Sequence, residues 1–328
     1  MNNYLFFRTD RIGDFLVSAI LLNSIKRNDE KSHITIVCSK KNFFYVNSLK
    51  FVDEVYLYPE KFIEKIFFFL KLNKRNYNLI GALDGKKRSI YFSIFLKSKI
   101  KVLMTTKFLF KKIFKFFFSN IFYFKEIKSK QDEILKVLNL LDMTFIEEDM
   151  FFLKKHNILS KKIKEISNYL IFHFDEKWIF ETYIKKYKSI EPNLDDFKLF
   201  IKKILENTKH NLVITTGQKE NHIIREFKRN LIKINENLYE KDLNNKVIQL
   251  YTNQDFFDLK YLIKNCEYLI TCHGATTHLA NAFNKKIFDI FDVSQETFYK
   301  KWNSHIKDYT FFYREDFKSL NVKILSKI

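Results

Sequence analysis

The feature that most constrains the fold is an alternation of short apolar runs with longer amphipathic segments. Short apolar runs are typical of buried strands, and the longer segments have the spacing of helices that cross over between parallel strands. The pattern therefore predicts an α/β fold with parallel sheets. In the first half the predicted strands are 4–7, 33–38, 54–58, 77–83 and 100–104, and a helix is predicted at 130–142.

The alternation stops in a lysine-rich stretch at 150–168 and then starts afresh. A chain of 328 residues is long enough for two cores of ordinary size. We therefore expect two domains, residues 1–155 and 156–328, with the cleft between them as the default ligand site. The second domain has predicted strands at 168–174, 211–217, 246–251, 267–272 and 286–291, and predicted helices at 193–207, 219–230, 255–265 and 276–283.

Composition indicates a globular chain and restricts its partners only weakly. Apolar residues make up 46% of the chain. It has 38 Phe but only five Gly and two Pro, and because Lys, Asn and Ile are also abundant, this imbalance fits an AT-rich genome. The net charge of +20 favours anionic partners. Lysines alternate with Phe and Ile along the chain, without an Arg-rich tail or a repeated basic and aromatic module, so nucleic acid is disfavoured.

Three features predict a cytoplasmic location. The three cysteines are odd in number and follow no metal or disulfide spacing, which suits a reducing compartment. Charged residues interrupt the first apolar run after four residues, so we expect no signal peptide. The longest stretch without a charged residue, 268–284, is too polar to span a bilayer.

The first candidate site is the loop in FRTDRIGDF, which follows the first predicted strand. A loop at the carboxyl end of a first parallel strand faces the ligand crevice, which favours function for Arg8, Asp10 and Asp14. Gly13 permits close approach or a positive φ just before a helix that we expect to begin near Asp14. The alternative is structural, because Asp14 in a first turn caps a helix and complements its dipole.

The second candidate site is the turn in TCHGATTHLANAF, which leads from a strand into a helix. A helix N-terminus with free N–H groups is suited to bind phosphate. Two histidines lie five residues apart, whereas a helical pair of metal ligands is spaced by three or four, so metal binding is disfavoured. His278 is alternatively a helix residue bonded to backbone. The candidates here are His273, Gly274, Ala275, Thr276, Thr277 and His278.

Two more strand ends in the second domain carry suitable residues. Lys177 follows the strand at 168–174 and can neutralise phosphate, while the neighbouring Trp178 fits an ordinary core equally well. Thr215, Thr216 and Gly217 end the strand at 211–217. Three phosphate-facing loops in one domain together favour a nucleotide site.

In combination, these segments resemble glycosyltransferase family 9, the ADP-heptose:lipopolysaccharide heptosyltransferases. That family opens with a strand, a basic residue and a loop ending in Gly-Asp before a helix, as residues 8–14 do here. The segments HFDEKW, VITTG and HGATTHLANAF resemble three of its second-domain motifs, with weaker similarity in FVDEVYLY, YNLIGALDGKKRS and QDEILKVLNLLD. The resemblance runs in order from residue 4 to about 291.

The resemblance implies a GT-B fold, in which two Rossmann-like domains face each other across a cleft. The first domain would bind a lipid-linked saccharide acceptor of the cell envelope, and the second a nucleotide-sugar such as ADP-heptose. Transfer would be inverting and independent of metal, with no cofactor. Asp14 would be the base, with Asp10 as its rival, and Lys177, the helix start at 275–277 and Arg8 would hold the diphosphate.

Two departures from the family pattern bear on the donor. His273 and Gly274 stand where the family has Asp before a Thr-Gly or Thr-Ser pair, and Lys177 lies one residue before Trp178 instead of two. The donor is therefore left open. The same fold with another donor and acceptor is one alternative, and a catalytically lapsed sugar-nucleotide-binding protein is another.

The stretch KFLFKKIFKFFF, residues 107–118, has the pattern of a basic amphipathic helix. Such a helix is a candidate surface anchor on anionic lipid, and the membrane expected here is the inner face of the inner membrane. The alternative is an ordinary helix that buries its Phe stripe in the first domain. On helical spacing the stacked residues are Lys107, Lys111 and Lys115, and the stripe is Phe110, Phe114 and Phe117.

Overall fold

Apolar runs form strands, and the segments between them form helices, in a computed structural model of the chain. The structure describes residues 1–156, 162–179, 187, 189–218, 220–243 and 245–328. It divides into two units, the first formed by 1–152 with 301–305 and the second by 153–300 with 306–328. The change of unit after residue 152 falls three residues before the domain limit expected from sequence, and five later residues return to the first unit.

The first unit is built on a six-stranded parallel sheet. Its elements are β1 (Asn3–Arg8), α1 (Ile12–Asn28), β2 (His33–Cys38), α2 (Phe43–Val46), β3 (Glu54–Leu57), α3 (Phe62–Asn73), β4 (Tyr77–Ala82), α4 (Lys87–Phe95), β5 (Ser98–Thr105), α5 (Phe108–Phe114), β6 (Asn120–Tyr123) and α6 (Lys130–Asn139). The strand order is β3-β2-β1-β4-β5-β6. All six strands run in the same direction, but the order in which the chain adds them reverses between β1 and β4. The loops at this switch point are the expected place for a ligand.

The centre of this sheet is apolar on both faces. Leu5, Phe6 and Phe7 of β1 are fully buried, as expected for a strand covered by helices on each side. After β4 the chain turns at Gly85, whose φ is +59°. A Cβ atom at Gly85 would lie 2.6 Å from the carbonyl oxygen of Met104, so the turn requires glycine.

The second unit is built on an eight-stranded sheet that is mostly parallel. Its elements are β7 (Tyr169–His173), α7 (Leu194–Asn207), β8 (Asn211–Thr215), α8 (His222–Phe227), β9 (Ile232–Lys233), β10 (Leu238–Leu243), β11 (Lys246–Tyr251), α9 (Phe256–Asn265), β12 (Tyr268–Cys272), α10 (Ala275–Ala282), β13 (Lys286–Phe291), α11 (Glu296–Trp302), β14 (Tyr309–Tyr313) and α12 (Phe317–Leu325). The order is β14-β13-β12-β7-β8-β11-β10-β9, in which β10 runs antiparallel to both of its neighbours, β11 and β9. Its switch point lies between β7 and β12.

The predicted fold class is confirmed: the chain is α/β and consists of two Rossmann-like units. Every predicted strand is present, with ends that shift by up to two residues. Sequence analysis missed the peripheral strands β6, β9, β10 and β14 and the helices α11 and α12. The helix predicted at 219–230 is α8, six residues long, and residue 219 lies outside the described residues.

The helix predicted at 107–118 is shorter than expected. It is α5, which has seven residues and ends at Phe114. Phe110 and Phe114 are buried as the structural alternative requires, but the third buried ring is Phe118, and Phe117 is 50% exposed. Phe117 was assigned to the stripe wrongly, because the helical spacing does not continue past the end of α5. Among the described residues, no helix combines the length and the apolar character needed to cross a bilayer.

Candidate functional site

The loop after β1 is fixed to the loop after β4 by hydrogen bonds. The backbone N–H and hydroxyl of Thr9 both donate to Asp84 Oδ2, at 3.0 and 2.5 Å. Lys86 Nζ and Arg88 Nη2 donate to the Thr9 carbonyl at 2.8 and 2.7 Å. The two loops of the switch point thus form one polar structure that holds several charged groups close together.

Arg8 lies inside this structure, with only 3% of its surface exposed. Its guanidinium donates to the Asp14 carbonyl from Nε at 3.1 Å and from Nη2 at 2.8 Å, and Nη1 donates to the Leu83 carbonyl. Nη1 also lies 3.2 Å from Asp10 Oδ2. This geometry favours a positioning role for Arg8, and its contact with phosphate stays a prediction.

Asp10 is a buried carboxyl in the same loop. Burial raises its pKa, Arg8 lowers it, and the nearby Asp14 and Asp84 raise it again, to about 6. Its Oδ1 atom is buried and has no hydrogen-bond partner among the described residues. Perturbed carboxyls of this kind are concentrated at functional sites, so Asp10 stays a candidate for acid–base work.

Asp14 is the third residue of α1 and is half-buried. Its Oδ2 accepts a long hydrogen bond of 3.4 Å from the Arg11 backbone N–H. The helix begins at Ile12, two residues earlier than predicted, because Arg11 is its extended N-cap. Gly13 therefore lies within the first turn of α1, and the positive φ proposed for it was wrong. Both the capping and the functional interpretation of Asp14 fit this geometry.

In the second unit, the loop after β7 contains a buried ion pair. Asp175 is 3% exposed, and its Oδ2 lies 2.5 Å from Lys177 Nζ and 3.5 Å from His173 Nε2. The Lys177 backbone N–H donates to the other carboxylate oxygen at 3.1 Å. Burial alone would raise the pKa of Asp175, but Lys177 and His173 outweigh it and hold that pKa well below its usual range.

Lys177 lies directly against the start of α10. A Cβ atom on Gly274 would lie 2.7 Å from Lys177 Nζ, so glycine at this position makes room for the ammonium group. Gly274 is the N-cap, and α10 begins at Ala275. The structure thus brings together two groups predicted separately, a lysine and a helix N-terminus. We call Lys177, Gly274 and the first turn 275–277 the anion corner, because both parts attract negative charge.

The side chains around the anion corner are fixed by contacts with other side chains of the second unit. His273 Nδ1 lies 2.7 Å from Asp289 Oδ2, and the hydroxyls of Thr277 and Tyr309 donate to the same carboxylate at 3.0 and 2.8 Å. The His273 ring packs against Tyr299, with 4.0 Å between ring centroids. His273 therefore has a partner of its own, and its position is fixed at the carboxyl end of β12.

Thr276 and His278 are both 4% exposed. The Thr276 hydroxyl lies 2.9 Å from the Thr271 hydroxyl, and the His278 ring packs edge-on at 5.3 Å from that of His273. The hydroxyls of the first turn of α10 thus bond inside the protein, and binding of a ligand by its backbone N–H groups stays a prediction. In the described ranges, no three His, Cys, Asp or Glu side chains are grouped so that they can hold a metal ion.

The end of β8 supports the loop after β7. Thr215 is fully buried, and its hydroxyl lies 2.8 Å from His173 Nδ1. The Thr216 hydroxyl donates to the Gly217 carbonyl at 3.0 Å, and a Cβ atom on Gly217 would lie 2.6 Å from Glu176 Oε2. These contacts make the three residues a close-packed support, and their contact with the donor stays a prediction.

Sequence analysis missed one cation at this site. Arg314, directly after β14, is 6% exposed and donates from Nη2 to the Lys177 carbonyl at 2.7 Å. With Lys177, His273 and Tyr299 it lines a small cavity of about 70 Å³. The signal was the aromatic-rich run 309–313 followed by an arginine. Asp289, a lone carboxylate in the buried strand β13, was a second unused signal.

Two Rossmann-like units in one chain, each with polar groups at its switch point, define a fold of the GT-B class. Similar solved structures include E. coli ADP-heptose lps heptosyltransferase II, with 11% identity over 100% of this chain and 97% of that one and a TM-score of 0.65. A glycosyl transferase of family 9 from Veillonella parvula has 15% identity, coverage of 99% and 89%, and a TM-score of 0.63.

UDP-GlcNAc 2-epimerase from Methanocaldococcus jannaschii is also similar, with 10% identity over 100% of this chain and 92% of that one and a TM-score of 0.52. Neither a protein-family model nor a curated protein matches the sequence. The likeness therefore establishes the fold, and the resemblance to the family 9 heptosyltransferases is confirmed at that level. Activity has to be argued from the site.

Proposed function

We propose that this chain is a glycosyltransferase of family 9. In this proposal it transfers a heptose or related sugar from a nucleoside diphosphate donor to a lipopolysaccharide-core or other envelope saccharide. The observation that carries the proposal is the anion corner, because the Lys177 ammonium and the start of α10 together suit a diphosphate. The fold that this chain shares with an ADP-heptose heptosyltransferase adds support.

The second unit would bind the donor. Sugar transfer breaks the bond between the anomeric carbon and the diphosphate oxygen, so negative charge grows on the leaving group. The Lys177 ammonium and the N–H groups of 275–277 would stabilise that charge. Arg314, which donates to the Lys177 carbonyl, would add a second positive charge nearby. These groups supply the positive charge without a metal, and we propose that transfer is metal-independent.

The first unit would bind the acceptor, with Asp14 as the base. Asp14 is only half-buried, so a substrate can reach its carboxylate, and Arg8 fixes its backbone by donating to its carbonyl. The base would take the proton of the acceptor hydroxyl as that oxygen attacks the anomeric carbon, with inversion. Asp10 is the rival base. Its pKa of about 6 suits proton transfer near neutral pH, but one of its oxygens is buried and the other pairs with Arg8.

The identity of the donor is tested by thermal unfolding in the presence of nucleoside diphosphates and their sugars. A true donor binds the native state and raises the unfolding temperature. Selective stabilisation by ADP and ADP-heptose would support ADP-heptose as the donor. Transfer is then measured with the selected donor and a saccharide acceptor, and activity lost in EDTA and restored by magnesium would contradict metal independence.

His273 favours a second candidate with the same fold. It stands, paired with Asp289, where the resembling family has an aspartate, so donor recognition there differs. A transferase with another nucleoside diphosphate sugar, or a binding protein that has lost catalysis, would follow. The epimerase neighbour is named for a UDP sugar, which fits a different nucleotide. Donor binding without transfer or hydrolysis would identify the lapsed protein.

A further inference from the structure

One surface of the first unit exposes many large apolar side chains. The helices α3, α4 and α5 form a single layer on one face of the sheet, because neighbouring helices of the layer share core clusters. On the outer side of this layer, the exposed fractions are 76% for Phe62, 68% for Phe67, 70% for Phe95 and 81% for Phe116. Ile63 and Leu109 are also more than half exposed. We call this outer surface the α3–α5 face.

The same segment concentrates the basic charge of the chain. Residues 61–118 contain fifteen lysines and arginines and only two acidic residues, Glu64 and Asp84. Asp84 accepts hydrogen bonds from Thr9 within the switch-point loops. Although lysines occur along the whole sequence, most of the net charge of +20 therefore falls in this segment.

Lysines and aromatic rings are interleaved on α5 and in the turn after it. Lys112 Nζ lies 4.7 Å from the centroid of the Phe108 ring, and Lys115 Nζ lies 4.9 Å from that of Phe116. Both phenylalanine rings are exposed. Cations that flank exposed aromatic side chains are typical of protein surfaces that lie in the headgroup region of a bilayer.

The Phe-rich composition of the chain does not explain this surface, because the second unit does not expose its apolar residues in the same way. There the exposed large apolar residues are fewer among the described residues and most lie on separate elements, such as Leu199 on α7, Ile232 on β9 and Val322 on α12. Single exposed apolar residues are normal, whereas a continuous group marks an interaction surface. Twelve exposed large apolar residues fall within 62–117, the span that forms the α3–α5 face, and we interpret this concentration as an interaction surface.

We propose that the α3–α5 face docks on an anionic phospholipid bilayer, with its phenylalanines in the interfacial region and its lysines against the headgroups. Charge complementarity selects this partner, since two copies of the chain joined through this face would bring two copies of the basic segment 61–118 together. The stretch 107–118 is only one edge of the surface. The exposed residues of α3, Phe62 and Phe67 among them, extend it.

The test is flotation of the full chain with vesicles of phosphatidylcholine, with and without phosphatidylglycerol. We expect binding to the anionic vesicles that weakens as salt increases. The variant Phe62→Ser/Phe67→Ser/Phe116→Ser should reduce binding by about tenfold or more, because it removes three of the inserted rings. The control variant Leu199→Ser/Ile232→Ser/Val322→Ser should bind within about twofold of the parent.

A second variant, Lys61→Gln/Lys112→Gln/Lys115→Gln, should lose affinity for anionic vesicles only. All six residues altered on the face are exposed, so both variants should fold, which thermal unfolding checks. Equal binding by the Phe variant and its control, or equal binding to neutral vesicles, would overturn the proposal. A concentration-dependent dimer that the Phe variant abolishes would instead assign the face to a second copy.

The docking proposal does not depend on the proposed function. The Phe variant should transfer sugar to a soluble acceptor as well as the parent does, because the altered residues lie outside the switch-point loops. Loss of vesicle binding with unchanged soluble activity supports docking whichever sugar is transferred. A chain that binds vesicles but has no transferase activity would contradict the proposed function alone.

Discussion

The first-strand loops of the two units place an aspartate at the same position with opposite electrostatic results. Asp10 lies two residues after the end of β1, and Asp175 lies two residues after the end of β7. In the first unit burial prevails over Arg8, and the pKa of Asp10 is raised to about 6. In the second unit Lys177 and His173 prevail over burial, and the pKa of Asp175 is lowered.

The difference shows that the fold sets the position of a group and its neighbours set its charge. Arg8 donates to backbone carbonyls as well as to Asp10, whereas Lys177 pairs with the Asp175 carboxylate and lies against the start of α10. In the proposed function, the first loop supplies the carboxyl for proton transfer and the second supplies the cation for the diphosphate. Four substitutions test this division of roles.

The largest effect is expected for Asp14→Asn in the first loop. If Asp14 is the base, kcat should fall by about a hundredfold to ten-thousandfold, the range of general base catalysis. Donor affinity, measured by calorimetry, should stay within about twofold, because the variant leaves the anion corner intact. Asp10→Asn is the matched control. Full activity in Asp14→Asn, together with inactivity in Asp10→Asn, would transfer the role of base to Asp10.

The second effect concerns stability in the second loop. Asp175→Asn leaves Lys177 and His173 without their carboxylate, so the free energy of unfolding at pH 7 should fall by about 3 kcal/mol. A carboxyl whose pKa is lowered on folding stabilises the protein above its ordinary pKa and loses that contribution as the pH falls through the lower value. The deficit of the variant should therefore shrink on acidification. A deficit that is the same at every pH would show that Asp175 acts through packing.

The third effect is on donor binding. Lys177→Gln removes a charged hydrogen-bond donor from the anion corner, which should weaken binding of the nucleoside diphosphate by about tenfold to a hundredfold. Lys202→Gln on α7, where the lysine is 71% exposed, is the control and should bind normally. Because Lys177→Gln also unpairs Asp175, affinity is compared at a temperature well below unfolding of the variant. Unchanged affinity would exclude Lys177 from the donor site.

Most of the fold was predictable, because the strands that form the centre of each sheet are local apolar runs. The missed strands are peripheral or weakly buried: both residues of β9 are exposed, and β6 is only partly buried. Such strands depend on neighbours that are distant in sequence. A pattern of apolar residues carries little information about them.

The candidate site was predictable in position but not in contacts. Parallel topology places strand ends at one edge, which located both first-strand loops. The partner of Thr9 is Asp84, 75 residues away, and the cation behind Lys177 is Arg314, 137 residues away. The inward direction of Arg8 and the contrast between the two aspartates follow from such long-range contacts.

The smaller of the two stability effects is expected for Asp10→Asn. The pKa of Asp10 is raised on folding from its ordinary value of 3.8 to about 6. Below pH 3.8 the carboxyl is protonated in both states and does not affect stability, but as the pH rises through 6 it ionises in the folded protein and lowers the free energy of unfolding. Asparagine removes that cost, and the variant should be more stable than the parent by about 2–3 kcal/mol at pH 8 and equal to it near pH 4. Chemical unfolding at the two pH values measures this, with the exposed Asp308→Asn as the control. A variant less stable than the parent at pH 8 would mean that the pairing with Arg8 outweighs burial, and the contrast between Asp10 and Asp175 would then disappear.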